Sequence, residues 1–113
     1  SKDNIRDFIT KKFRYDLDYT IEQIRPDYCF DSSCEYSVPP SIVCFLESSD
    51  YESAVRNAVS LGGDADTMAC IAGGIAEAFY KDIPTEIKQF CDSRIDISIK
   101  ETVREFINKL KHQ

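Results

Sequence analysis

The sequence predicts an all-α fold, a compact bundle of about six helices around a buried central helix. Three observations point there. Apolar residues recur three and four positions apart in several segments, the period of a helix with one inward face. Alternation of the strand kind occurs once, at Ile95, Ile97 and Ile99, which alone reads as a short strand. Between Met68 and Ala76 no side chain is charged, and a helix apolar all round is normally buried on all sides.

Taken in order, residues 2–13 form an amphipathic helix with Ile5, Phe8, Ile9 and Phe13 near helical spacing and Asp3 or Asn4 as cap. Residues 14–19 connect it to a short helix over Thr20–Arg25, ended by Pro26. Residues 27–36 have no clear period and read as a loop over the core. Tyr28 and Phe30 anchor that loop, and Tyr36 is open to a ligand role. Ser37 caps the next helix, with Pro39 and Pro40 in the first turn, where proline costs little. Its stripe is Ile42, Val43, Phe45 and Leu46. After Ser48-Ser49-Asp50, a second stripe runs through Tyr51, Ala54, Val55, Ala58 and Val59, with Glu52 and Arg56 spaced to pair on the exposed face.

That helix delivers the chain into Gly62-Gly63 and the central helix to Tyr80. Pro84 starts a short helix to about Cys91, with Ile87 and Phe90 inward. From Ser98 onward Ile99, Val103, Phe106, Ile107 and Leu110 favour a last helix, ending in Lys109, Lys111 and His112, which suit its negative end.

The chain has 113 residues, enough for one domain over 1–113 with one core. A net charge of −6 argues against bare nucleic acid and anionic membrane surfaces as partners. No apolar run is long enough to span a bilayer. The five cysteines, 29, 34, 44, 70 and 91, show no Cys-x-x-Cys and suit a reducing, cytoplasmic setting. Cys44 and Cys70 read as small core residues, and a Cys29–Cys34 loop disulfide is the weaker alternative. The one histidine, His112, lies beside the C-terminus, which excludes Ser-His and Cys-His nucleophilic pairs.

The chemistry candidates are Asp64, Asp66 and Thr67. Two carboxylates and a hydroxyl form a hard, all-oxygen ligand set suited to Mg, Mn or Ca. In a regular helix positions 64 and 67 share a face and 66 points elsewhere. The three converge only if Asp64 lies in the turn or at the cap. The alternative makes Asp64 an N-cap, Asp66 a partner of the helix dipole and Thr67 an ordinary first-turn residue. An EF-hand loop from Asp64 fails at Ala69 and Ile75, and no Gly-Lys-Ser/Thr marks a phosphate loop.

The stretch Ser60-Leu-Gly-Gly-Asp-Ala-Asp-Thr through Tyr80, followed by Asp82-Ile83-Pro84, resembles the second metal-binding signature of the ADP-ribosylglycohydrolases, the family of the dinitrogenase reductase-activating glycohydrolase. The likeness extends back through Ser37-Val-Pro-Pro and, more loosely, to Lys11. The resemblance implies the C-terminal half of that family. The first half supplies an early Gly-Asp motif and a Thr-Asp-Asp motif, and neither stands in this chain.

It implies a dinuclear Mg or Mn centre with Asp64, Asp66 and Thr67 as ligands. Gly62, Gly63 and Tyr36 fall to the substrate side, Tyr36 replacing a small residue of the relatives. It implies hydrolysis of the glycosidic bond between ADP-ribose and an acceptor such as a protein side chain. The missing half would come from a homo-oligomer or another chain. No residue stands out as general acid; Glu35, Glu47 and Glu77 qualify only by type, and Glu77 is suited to a surface salt bridge. Two other readings stand beside it. One is a non-catalytic helical module used for oligomerisation, and the other an ADP-ribose binder without turnover.

Overall fold

The computed structural model describes residues 1–113 and contains only helices and connections. The chain is all-α, as expected, and separates into two compact units, Ser1–Asp82 and Ile83–Gln113.

In the first unit, α1 (Lys2–Phe13), α2 (Ile21–Ile24) and a 3-10 turn (Arg25–Asp27) precede three packed helices, α3 (Cys34–Leu46), α4 (Tyr51–Ser60) and α5 (Ala65–Tyr80). The core is made where α3, α4 and α5 meet. Phe45, Val43 and Cys44 from α3, Ala54 and Ala58 from α4, and Met68, Ala72 and Ala76 from α5 are all buried, closed below by Leu17 and Ile21. Small residues let the backbones approach. A Cβ built on Gly73 would stand 3.3 Å from both Tyr51 Oη and Val55 Cγ2, so α4 lies directly against α5 at that point.

The ends of α3 and α5 are tied together by polar contacts. The Lys2 ammonium donates to the carbonyls of Leu46 and Ser48 and sits 5.1 Å from the Phe45 ring centre. Tyr80 Oη donates to the Ser48 carbonyl at 2.9 Å. The Leu46 carbonyl, which ends α3, and the Ser48 carbonyl just beyond it are thus satisfied by side chains.

Several local expectations are corrected. Ser1, not Asp3 or Asn4, caps α1. The helix containing Ile42 and Val43 begins a turn earlier, at Cys34, so Tyr36 is helical and Pro39 and Pro40 lie inside the helix. Ser37 is a buried helical residue whose Oγ donates to the Ser33 carbonyl. A proline at position 40 cannot donate to the carbonyl of residue 36. Tyr28 Oη takes that acceptor at 2.7 Å, which removes most of the penalty.

The central helix buries one side only. Met68, Ala72, Gly73 and Ala76 face the core, while Thr67, Cys70, Gly74 and Ala78 are exposed. An uncharged surface of small side chains exposes little apolar area per residue, so the absence of charge does not require full burial. Cys70 is therefore not a core residue, whereas Cys44 is, and all five thiols are free.

The second unit holds α6 (Thr85–Arg94) and α7 (Ile97–Lys111), with Asp96 capping α7 through the Ser98 N–H. The Ile95–Ile99 stretch is a helix start rather than a strand. Phe90 is 62% exposed and not inward. The α7 stripe has the predicted helical spacing, and none of it is buried.

Candidate functional site

The candidate site is the turn between α4 and α5. Gly62 adopts the left-handed conformation (φ 71°), which glycine enters without a Cβ penalty. Gly63 lies under the Tyr28 ring, where a Cβ would come 2.4 Å from Tyr28 Cε1. The ring is held by its hydroxyl, 2.7 Å from the Tyr36 carbonyl and 3.4 Å from Met68 Sδ. Tyr28 thereby joins the segment before α3 to the turn before α5. Its hydroxyl is pushed above the ordinary tyrosine value by burial first, then by Asp31, Cys44 and Asp64.

Asp64 occupies the N-cap position of α5 but makes no side-chain cap. A capping aspartate contributes about 1 kcal/mol, and this one forgoes that contact. Its carboxyl stands near that of Asp66, two residues on. Hydrogen bonding with Asp64 first, and from the Thr67 N–H second, holds the Asp66 carboxyl below the usual carboxylate range. The Thr67 N–H lies 2.9 Å from Asp66 Oδ1.

Asp64 is in the cap, and Asp66 and Thr67 are the second and third helical residues. This is the arrangement in which the two carboxyls can meet. Asp66 and Thr67 are exposed and Asp64 half-buried. The positive end of α5 adds a field favourable to both carboxylates.

Two neighbouring carboxyl groups beside a hydroxyl are oxygen donors of the kind that suits a hard divalent cation such as Mg or Mn. No group of three or more His, Cys, Asp or Glu side chains stands together in a ligating arrangement within residues 1–113.

The carboxylates singled out by type are elsewhere. Glu47 accepts the Ile21 N–H at 2.8 Å and so caps the start of α2. Glu77 is exposed and belongs to neither ion pair of the structure, Arg6–Asp18 and Arg56–Glu52, so the expected salt bridge is not formed. Glu35 and Tyr36 line a cavity of about 510 Å³ together with Tyr15, Tyr19 and Tyr28, and no residue from Gly62 to Thr67 lines it. The sequence held a signal for this cavity, since four of the chain's six tyrosines fall between positions 15 and 36. Phe30, expected to anchor a loop, is 68% exposed.

Comparison with known proteins adds a separate line of observation. The sequence profile of the ADP-ribosylglycohydrolase family matches residues 14–113. ADP-ribosylhydrolase ARH3 of Homo sapiens is 36% identical to the chain over 69 residues. The proteins of that name from Bos taurus and Mus musculus are each 39% identical over 69 residues. Each match covers 50% of this chain and 19% of the relative, so the likeness spans about a fifth of the length of the curated relatives. No solved structure matches the chain.

Proposed function

The chain belongs to the ADP-ribosylglycohydrolase family, and on that premise we propose that it forms part of a Mg- or Mn-dependent hydrolase. The reaction is removal of ADP-ribose from an acceptor by cleavage of its glycosidic bond. The observation that carries the reading is the Asp64–Asp66 carboxyl pair at the start of α5. Asp64 forgoes capping, and Asp66 is exposed beside the Thr67 hydroxyl.

In this reading Asp64, Asp66 and Thr67 hold the cation, and further ligands come from water, substrate or protein outside these 113 residues. A bound cation would supply orientation and Lewis-acid polarisation for ribose hydroxyls and a water. The chain's own residues do the positioning. Gly62 turns the backbone so that Asp64 reaches the cap, and Gly63 admits Tyr28 against the turn. Tyr36, at the start of α3, would border the ligand on the far side of Tyr28. An ADP-ribosylated protein side chain is the substrate class this assigns.

Two measurements on the 113-residue chain test it. Electron paramagnetic resonance would follow free Mn during titration of the chain and of Asp66→Asn. Uptake by the wild type and its loss in the variant are expected. Equal uptake would remove Asp66 from the ligand set and overturn the metal reading. Release of ADP-ribose from an ADP-ribosylated arginine or serine peptide would be followed in parallel, with Mg present. Turnover that survives in the Asp64→Ala, Asp66→Ala double variant would overturn the assignment of the site.

A further inference from the structure

The aromatic cavity of the first unit shares Tyr28 and Tyr36 with the reading above, but no residue from Gly62 to Thr67 lines it. We propose that it binds an organic cation of side-chain size, a guanidinium or alkylammonium group, in a cage of tyrosine rings edged by Asp16 and Glu35. Tyr15, Tyr19, Tyr28 and Tyr36 line the space, and their ring faces carry the negative side of an aromatic quadrupole. A cation over such a face is attracted, and more strongly where water is partly excluded. Tyr15, Tyr19 and Tyr28 are each half-buried, and Tyr36 lies at an exposed edge.

The charges around the space select the sign of the ligand. Asp16 and Glu35 both line it, against one cation, Arg14. The Tyr19 hydroxyl responds to the same field. It is pushed well above the ordinary tyrosine value, by burial first and by Asp16 next. Burial disfavours a charge of either sign, whereas the Asp16 carboxylate, which also opposes a phenolate, attracts a cation in the same place. An anionic ligand would meet two carboxylates and four electron-rich rings. A neutral apolar ligand would draw nothing from the charges of Asp16 and Glu35.

The volume, about 510 Å³, falls within the range of small-ligand sites. The acidic turn at Gly62–Thr67 contributes nothing to its lining, so the two sites can be tested apart.

The chain has no tryptophan and four of its six tyrosines line this cavity, so tyrosine fluorescence carries a signal from it. At constant ionic strength the chain is titrated with choline, with its neutral isostere 3,3-dimethyl-1-butanol, and with N-methylguanidinium. At least one cation should give a saturable change with an affinity about fivefold or more above that of the isostere. The cation that saturates identifies the group as alkylammonium or guanidinium. The Asp16→Asn, Glu35→Gln double variant should weaken binding, and Arg14→Gln should tighten it, since one removes attraction and the other repulsion. These residues are exposed, so the variants are expected to fold. No saturable response to either cation would overturn the proposal. So would an isostere that binds equally well, or an unchanged affinity in the double variant.

Discussion

Replacing Gly63 by alanine tests the link between the segment before α3 and the acidic turn. The backbone at Gly63 has no positive φ, so alanine meets no conformational strain there. It meets the Tyr28 ring, at 2.4 Å from Cε1 and 3.0 Å from Cδ1, and the Cys29 carbonyl at 3.5 Å. Carbon atoms rest about 3.5–4.0 Å apart, so the ring must withdraw by roughly 1 Å. The ring is not free to withdraw. Its hydroxyl serves the Tyr36 carbonyl, the acceptor that Pro40 leaves without a helical donor.

Losing that bond costs about 1 kcal/mol, and loosening the packed ring costs a further ~1 kcal/mol. Alanine restricts the unfolded chain and returns about 0.4–1 kcal/mol. The net is a destabilisation of about 1–1.5 kcal/mol, read from urea unfolding followed by circular dichroism. The same substitution in a Tyr28→Ala background meets no ring, and should become neutral or slightly stabilising. If Gly63→Ala costs the same in both backgrounds, within the ~0.3–0.5 kcal/mol expected of independent sites, the Tyr28 contact is not the cause.

Gly62→Ala should cost about 1 kcal/mol for a different reason, the left-handed backbone, because nothing lies within 4 Å of the added Cβ. Gly62→Asn should recover part of that loss, since asparagine tolerates the conformation, and paired denaturation curves would show it. The buried Cys44 thiol is pushed up to about 12, by burial first and Glu47 next. A raised folded value means the folded chain holds the proton after the unfolded chain has lost it. Stability from this group is therefore complete below about 9 and declines as pH rises from 9 towards 12. Its slope reaches at most about 1.4 kcal/mol per pH unit, and Cys44→Ala should flatten the measured stability–pH curve in that window.

Much of the fold could be read from spacing because helices announce themselves locally. The Val43–Leu46 stripe, the Ala54–Ala58 repeat and the small-residue face of α5 each follow the helical period, and each forms the expected helix. The Asp50 and Asp96 caps are equally local, each a side-chain contact with an N–H two or three residues on. The candidate turn was legible for the same reason. Glycine, glycine and two acidic residues lie within five positions, and their relation is settled by the backbone between them.

What spacing could not supply was any contact made across the chain. The start of α3 at Cys34 depends on Tyr28 satisfying a carbonyl eight residues away. The burial of Cys44 against the exposure of Cys70 depends on which side of α5 meets α3 and α4. The role of Glu47 depends on a backbone N–H 26 positions earlier. The sequence by itself determined the helices, the glycine turn and the residue types that could hold a cation. Only the tertiary structure decided that Glu47 meets the start of α2, that Tyr28 covers Gly63, and that four tyrosines line one cavity. The periodic signal is carried by neighbours along the chain, whereas these arrangements arise from groups that folding alone brings within reach.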